Sequence, residues 1–94
     1  MHGLYNDAAT WLQSQNKDKI LPWMLQLAEQ GYDVWMGNSR GTEYSMKHFV
    51  LDAKKDSKYW NFTWEDMGKY DVPAMIDKIK TQTGFEKIFY IGYS

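Results

Sequence analysis

The carboxyl end of the chain constrains the fold more than any other stretch. Residues 87–91 read Lys-Ile-Phe-Tyr-Ile, a β-branched and aromatic run with the length of a buried strand. Gly92, Tyr93 and Ser94 follow it directly. A strand that leads into Gly-x-Ser is typical of a sharp turn that lifts a serine hydroxyl above the edge of a sheet. The sequence therefore predicts a strand over residues 87–91 and makes Ser94 a candidate nucleophile.

A second motif stands near the amino end, where His2 and Gly3 follow Met1. A His-Gly pair at the exit of a strand is a usual site for an oxyanion donor, since glycine lets the backbone turn an N–H toward a substrate carbonyl. We interpret His2 and Gly3 as an oxyanion loop. His2 is expected to fix that loop by hydrogen bonding and not to transfer protons.

The sequence between these motifs predicts a helix followed by a strand. Residues 5–19 are polar and predict an active-site loop, with Trp11 packed as an anchor. An amphipathic helix is then predicted from Ile20, with Pro22 in its first turn and a left-handed stop at Gly31. Residues 32–36 predict a short strand.

A second helix is predicted over residues 63–84. Thr63 is the expected N-cap, acidic residues occupy the first turn, and Gly84 ends the apolar periodicity. Pro73 is expected to bend this helix, because its ring clashes with the carbonyl group four residues earlier.

The turn after the first predicted strand reads Asn38-x-Arg40-Gly41-x-x-x-Ser45. We interpret it as a structural loop in which Arg40 donates to neighbouring carbonyl groups and Gly41 takes a positive φ, with a smaller chance that Arg40 contacts substrate. Farther along, the aromatic residues Tyr59, Trp60, Phe62 and Trp64 predict packing more than an acyl-chain groove.

Three single residues carry alternatives. His48 is predicted to be a surface residue and not a catalytic base. Asn61 begins an Asn-Phe-Thr sequon, which predicts glycosylation less strongly than Thr63 predicts a helix cap. The alternative for Ser94 is that it has no catalytic role and is simply the last residue of the chain.

Composition and charge limit the classes of function that this chain can have. The 94 residues suffice for one domain, and 44% hydrophobic with 17% aromatic residues indicate a packed core and not disorder. Eleven basic and twelve acidic residues leave a net charge of −1, which gives no electrostatic basis for binding nucleic acid. With two histidines and no cysteine, neither a metal site nor a cofactor is expected. No apolar run has the length of a transmembrane segment.

Several stretches together carry a family resemblance: His2-Gly3-Leu4, Ala9-Thr10-Trp11, residues 31–41, residues 67–77 and Gly92-Tyr93-Ser94. They are similar to the acid lipase family, which includes the gastric and lysosomal acid lipases, and the similarity covers nearly the whole chain. Tyr93 departs from the family, which commonly has His between the Gly and the Ser. The side chain at this position is expected to pack under the turn and to move no proton.

The resemblance implies an α/β fold: residues 1–94 would be part of a single α/β-hydrolase domain, with parallel strands joined by crossover helices. It implies a carboxylic ester hydrolase, specifically a triacylglycerol or steryl ester lipase of lipid catabolism, acting on neutral lipid or ester at a lipid interface. A secreted or lysosomal location is implied as well. Ser94 would be the nucleophile, and the backbone N–H of Leu4, beside His2 and Gly3, an oxyanion donor.

Members of this family are several times longer and carry their catalytic acid and histidine well beyond the nucleophile. The chain is therefore expected to be an internal fragment, which alone is inactive and poorly soluble or partly unfolded. Two alternatives stay open: an α/β-hydrolase that acts on small soluble esters, and a lipase-like binding module without turnover. We further expect Ser94 beside the His2-Gly3 loop, and a parallel pair formed by residues 32–36 and 87–91 through a right-handed crossover.

Overall fold

A computed structural model describes residues 1–13 and 21–94 of the chain. These residues form three α-helical stretches: α1 (Trp23–Glu29), α2 (Trp64–Asp66) and α3 (Val72–Thr83). They also form 3-10 helices at Ala8–Leu12, Glu43–Ser45 and Ser57–Trp60, and a π-helical turn at Met67–Asp71 that joins α2 to α3. The predicted helix start at Ile20 and the later part of the predicted loop over residues 5–19 lie outside the described residues.

Helix α1 ends as its sequence predicts. Gly31 takes a φ of +95°, the left-handed conformation that glycine adopts without strain. The N–H of Gly31 donates to the Ala28 carbonyl at 3.0 Å, and the N–H of Tyr32 donates to the Leu27 carbonyl at 3.2 Å. This pair of hydrogen bonds satisfies carbonyl groups that the last helical turn would otherwise leave without donors. Pro22 occupies the N-cap, one position before its predicted place in the first turn.

The second predicted helix is present but changes form near Pro73. The Asp66 carboxylate accepts a hydrogen bond from the Thr63 backbone N–H at 2.9 Å, so Thr63 begins the helix as predicted. The π-helical turn Met67–Asp71 immediately precedes α3, which has its proline in the first turn. Because proline has no N–H and crowds the preceding turn, the wider π-helical turn is the form that the predicted distortion takes. Gly84, at a φ of +76°, ends α3.

The two segments predicted as strands do not pair with each other. Among the described residues, 33–37 and 86–90 make no backbone hydrogen bond, and no strand is formed in this part of the chain. The predicted parallel pair is therefore not observed. These segments instead present rows of N–H and C=O groups without partners, which is the property of an open sheet edge.

An apolar groove of about 850 Å³ separates these two segments. Its walls are residues 31–37 on one side and 87–91 on the other, with residues of α1 and α3 and with Met1, Trp11 and Phe85 completing the lining. The Phe89 side chain, predicted to be buried in a strand, is 90% exposed. The hydrophobic surface that a sheet would bury is thus open, because no other segment of residues 1–13 and 21–94 fills the space between these two extended segments.

An aromatic cluster packs on the Arg40-Gly41 turn. Tyr59 is buried and meets Trp60 edge-on, with ring centroids 4.9 Å apart, and Phe62 at 6.2 Å. A Cβ on Gly41 would lie 2.7 Å from the Phe62 ring, so the cluster approaches the turn as closely as glycine allows. The packing prediction is confirmed for these three rings. It is wrong for Trp64, which begins α2 and is 78% exposed.

Candidate active site

The His2-Gly3 turn is buried and held by side-chain hydrogen bonds. His2 Nδ1 lies 2.9 Å from the Gly3 carbonyl oxygen, and the backbone N–H of Ser39 donates to His2 Nε2 at 3.2 Å. Because an N–H can only donate, Nε2 carries no proton, and the ring is the neutral form with its proton on Nδ1. Both ring nitrogens therefore bind backbone groups, which fits the prediction that His2 fixes the loop.

Ser94 lies directly beside this turn. A Cβ on Gly3 would be 2.8 Å from the Cβ of Ser94 and 3.0 Å from the ring of Tyr93, so only glycine permits this approach. Ser94 is exposed and has a φ of +64°, a left-handed conformation that is uncommon for a residue with a side chain. Such strain is a feature of serine residues at the apex of a strand-to-helix turn. The predicted position of Ser94 beside the His2-Gly3 loop is confirmed.

Backbone hydrogen bonds join the two ends of the chain in a parallel arrangement. The Met1 amino group donates to the Ile91 carbonyl, and the Tyr93 N–H donates to the Met1 carbonyl at 3.0 Å. One residue that bonds to both neighbours of a residue on the facing segment is the pattern of a parallel ladder. Met1 and Gly92 are thus paired as two parallel strands would be, and this pairing sets Ser94 next to Gly3.

Leu4 follows Gly3 and is 62% exposed. Its backbone N–H donates no hydrogen bond to any group in the described part of the chain, whereas the carbonyl of Gly3 accepts one from Asn6 at 3.1 Å. A backbone N–H without a protein partner is the kind of group that can bind an oxyanion. The role of Leu4 as an oxyanion donor stays a prediction.

A set of polar residues holds this turn in place, and we call His2, Asn38, Ser39, Arg40 and Asp71 the polar frame. The Asn38 side-chain oxygen accepts from the Ala8 N–H at 2.8 Å. The guanidinium of Arg40 donates from Nε and Nη2 to the Asp71 carboxylate at 2.9 and 2.7 Å, and this hydrogen bonding raises the pKa of Arg40 above its ordinary value. The prediction that Arg40 donates to loop carbonyl groups is wrong, because a carboxylate from the helical region takes its donors.

Sequence analysis gave no role to Ser39 or Asp71. Asp71 lies 31 positions after Arg40, so no local pattern links them. The available signal was chemical: an arginine in a turn next to a packed aromatic cluster needs a partner, and Asp71 interrupts the otherwise apolar spacing of the second helix. Ser39 is only 2% exposed, and its burial follows from its backbone bond to His2.

The remaining candidates lie apart from these contacts. His48 is exposed, as predicted, and its Nδ1 accepts from the N–H groups of Val50 and Leu51 at 3.1 and 2.9 Å. Across residues 1–13 and 21–94, no three acidic or histidine side chains gather as a metal site. In the same part of the chain, no helix combines the length and the apolar character needed to cross a bilayer.

Comparison with known proteins agrees with this geometry. The family model for the alpha/beta hydrolase fold matches residues 1–94. The chain is 44% identical over 93 residues to human lipase member N, 46% identical to triacylglycerol lipase 2 of Arabidopsis thaliana, and 41% identical to human lysosomal acid lipase/cholesteryl ester hydrolase. Each match covers 99% of this chain but only 21 to 22% of the relative. No solved structure matches the chain significantly.

The chain belongs to the α/β-hydrolase fold family. Within that family, the resemblance to acid lipases is confirmed by the identity with named lipases over almost all of the chain. The chain spans about one fifth of the length of these curated relatives.

Proposed function

We propose that this chain is the part of a serine ester hydrolase that runs from the oxyanion loop to the nucleophile, in a longer parent protein that acts as a lipase. The observation that carries the proposal is the apposition of Ser94 to the Gly3-Leu4 turn, where a Cβ on Gly3 would be 2.8 Å from that of Ser94. The names of the relatives, which include a triacylglycerol lipase and a cholesteryl ester hydrolase, support neutral lipid esters as the substrate class.

In the proposed reaction, Ser94 Oγ attacks the ester carbonyl carbon and loses its proton to a histidine base. The carbonyl oxygen becomes an oxyanion that the Leu4 N–H stabilises, and collapse of this intermediate expels the alcohol, which takes up the proton. Water then attacks the acyl-enzyme and releases the acid. His2 is unsuited to act as the base because both of its nitrogens bind backbone groups. The base, its carboxylate partner and the second oxyanion donor belong to other parts of the parent.

The finer fold proposal is a parallel sheet completed by the parent. Residues 32–36 and 87–91 would be strands of one sheet, joined by a right-handed crossover through the second helical region. The parallel bonding of Met1 to Ile91 and Tyr93 supports this arrangement. The apolar groove supports a further extended segment between the two, since only another backbone could bond to both rows of unpartnered groups at once.

The direct test is hydrolysis by the purified parent. We expect turnover of an emulsified long-chain triacylglycerol, and Ser94→Ala to reduce kcat about 10⁶-fold, as removal of the nucleophile does in other serine hydrolases. Ser57→Ala, at an exposed position that begins a 3-10 helix, is the matched control and keeps full activity. Activity that survives Ser94→Ala would refute the proposal. Turnover of a short soluble ester alone would favour a non-lipase esterase, and no Ser94-dependent turnover would favour a binding module.

The 94 residues alone are proposed to be inactive, because they supply the nucleophile and one donor only. A fluorophosphonate probe labels serine residues that a base activates, so we expect labelling of the parent at Ser94 and none of the isolated chain. Stoichiometric labelling of the isolated chain would make His48 the suspected base and contradict the assignment of the base to another part of the parent.

We also propose a secreted or lysosomal location for the parent, supported by the name of the lysosomal relative. Asn61 is exposed, as a glycosylated residue must be. Expression through a eukaryotic secretory pathway is the test: an endoglycosidase should shift the mobility of the parent, with Asn61→Gln reducing that shift. Retention of the parent in the cytosol would overturn the proposed location.

A further inference from the structure

Trp11 contacts an aromatic ring on each side. Its ring centroid lies 6.5 Å from that of Tyr93 at an interplanar angle of 80°, and 5.4 Å from that of Trp23 at 68°. Both are edge-to-face arrangements, which are favourable because the positive ring edge meets the negative ring face. Tyr93 immediately precedes Ser94, so three rings in a row join the nucleophile turn to the first residue of α1.

Trp11 is itself fixed to the polar frame. It belongs to the 3-10 helix Ala8–Leu12, whose first turn is capped by the Asp7 carboxylate at 2.8 Å from the Ala9 nitrogen. The Ala8 N–H donates to the Asn38 side chain at 2.8 Å. The indole is therefore attached, through one short helix, to the same turn whose Ser39 N–H binds His2.

The Tyr93 ring also contacts the oxyanion turn. A Cβ placed on Gly3 would be 3.0 and 3.2 Å from two carbon atoms of this ring, so the ring lies against the Gly3 backbone. The Tyr93 ring thus contacts both Trp11 and the Gly3 backbone. Because Tyr93 and Ser94 are consecutive in the chain, a shift of this ring is expected to displace Ser94 from the Gly3-Leu4 turn.

We propose that Trp11 is a positioning residue for the esterase reaction: it holds the Tyr93 ring against Gly3 and thereby fixes the separation of Ser94 Oγ from the Leu4 N–H. This inference rests on the proposed function. It extends that function by giving a catalytic consequence to a residue outside the catalytic groups named above. If Trp11 served packing alone, its loss would lower stability and leave the turnover of folded enzyme unchanged.

The expected signature is a change in kcat without a change in KM. A displacement of about 1 Å between reacting groups lowers a rate on the order of 100-fold, and the oxyanion donor acts only after the substrate is bound. We therefore expect Trp11→Ala in the parent to reduce kcat about 10- to 100-fold, with KM changed less than about 2-fold. Trp11→Phe keeps an aromatic edge for Tyr93 and should restore most of the lost kcat.

The control is Trp64→Ala, which removes an indole of equal size that is 78% exposed and stands in none of these ring contacts. It should leave kcat and KM unchanged. Tyr93→Leu supplies a second measurement: it keeps an apolar side chain but removes the ring that Trp11 contacts, so it should reproduce the loss of kcat. In a double-mutant cycle, the effects of Trp11→Ala and Tyr93→Leu should not add, because both break the same contact.

Unchanged kcat in folded Trp11→Ala enzyme would overturn the inference. Should that variant fail to fold, unchanged kcat in Tyr93→Leu would overturn it equally, and a matching loss would support it. Full additivity in the cycle would also refute it. Failure of the proposed function would give a different result: the wild-type parent itself would then show no Ser94-dependent hydrolysis.

Discussion

The polar frame and the apolar groove differ in what completes them. In the polar frame, every named side chain finds its partner within the chain: His2 with Ser39, Asn38 with Ala8, and Arg40 with Asp71. Along the groove, residues 33–37 and 86–90 bind no other backbone in the described part of the chain. Side-chain hydrogen bonds need two residues that the sequence already contains, whereas a strand needs a neighbouring strand. The described residues therefore contain the contacts that fix the turn, but not the strand partners that would form the sheet.

The largest expected effect is on hydrogen exchange along the groove. In the isolated chain, the amides of residues 33–37 and 87–90 should exchange rapidly because they have no acceptors. In the parent, where we propose a completed sheet, the same amides should be protected about 1,000-fold or more, since core strands open only with global unfolding. Mass spectrometry after deuterium labelling measures this.

The Ser39 amide, which donates to His2 Nε2, is the internal control and should exchange more slowly than residues 33–37 even in the isolated chain. Strong protection of residues 33–37 in a monomeric isolated chain would remove the contrast between the two regions. A sharp cooperative melt of that monomer would have the same meaning.

This contrast also explains how much could be predicted from sequence. Features set by neighbouring residues were predicted correctly: the left-handed stop at Gly31, the end of the second helical region at Gly84, and the cap at Thr63. The pairing of residues 32–36 with 87–91 was not, because periodicity identifies a strand-forming segment without showing which segment lies beside it.

The polar frame marks another limit of sequence analysis. Arg40 was recognised as structural, but its partner Asp71 lies 31 positions away on a different element. Neither spacing nor propensity connects residues at that separation, and the pair becomes visible only when the π-helical turn brings the carboxylate to the guanidinium. The same holds for His2 and Ser39, which are 37 positions apart.

The next largest effect is expected from Gly3→Ala in the parent. The new methyl carbon would lie 2.8 Å from the Cβ of Ser94, so the turn and the serine must move apart. We expect kcat to fall about 100- to 1,000-fold, the loss seen when an oxyanion donor is removed. Gly68→Ala is the matched control because nothing lies within 4 Å of the added carbon. Equal activities of the two variants would show that the polar frame tolerates displacement of its turn.

A smaller effect is expected from Arg40→Lys, which tests the frame through stability. Lysine keeps the charge but cannot make the two-atom contact that Arg40 makes with Asp71, whose side chain is 13% exposed. We expect a loss of about 1 to 2 kcal/mol in the unfolding free energy of the parent, measured by urea denaturation at unchanged m value. Lys55→Ala breaks a pair that is 3.8 Å long and 82% and 48% exposed, so it should change stability by less than about 0.5 kcal/mol. Similar losses in both variants would show that the Arg40–Asp71 contact stabilises the protein no more than an exposed ion pair does.

The smallest effect concerns Asp66, a partly exposed residue at the start of the second helical region and outside both regions compared above. The backbone hydrogen bond from Thr63 lowers the pKa of Asp66 below its ordinary value of 3.8. A carboxyl group with a lowered pKa in the folded state stabilises that state at pH values above 3.8, and this contribution disappears as pH falls through the folded pKa. Asp66→Asn keeps an acceptor of the same shape without the titration. The melting temperatures of the wild-type and Asp66→Asn parent should therefore differ near pH 6 and converge near pH 2.

Glu65→Gln, in the same helical turn but without a bond to the Thr63 N–H, should show a smaller difference at every pH. A gap between the wild type and Asp66→Asn that widens toward low pH would reverse the sign of this linkage and show that the cap is not the source of the shift.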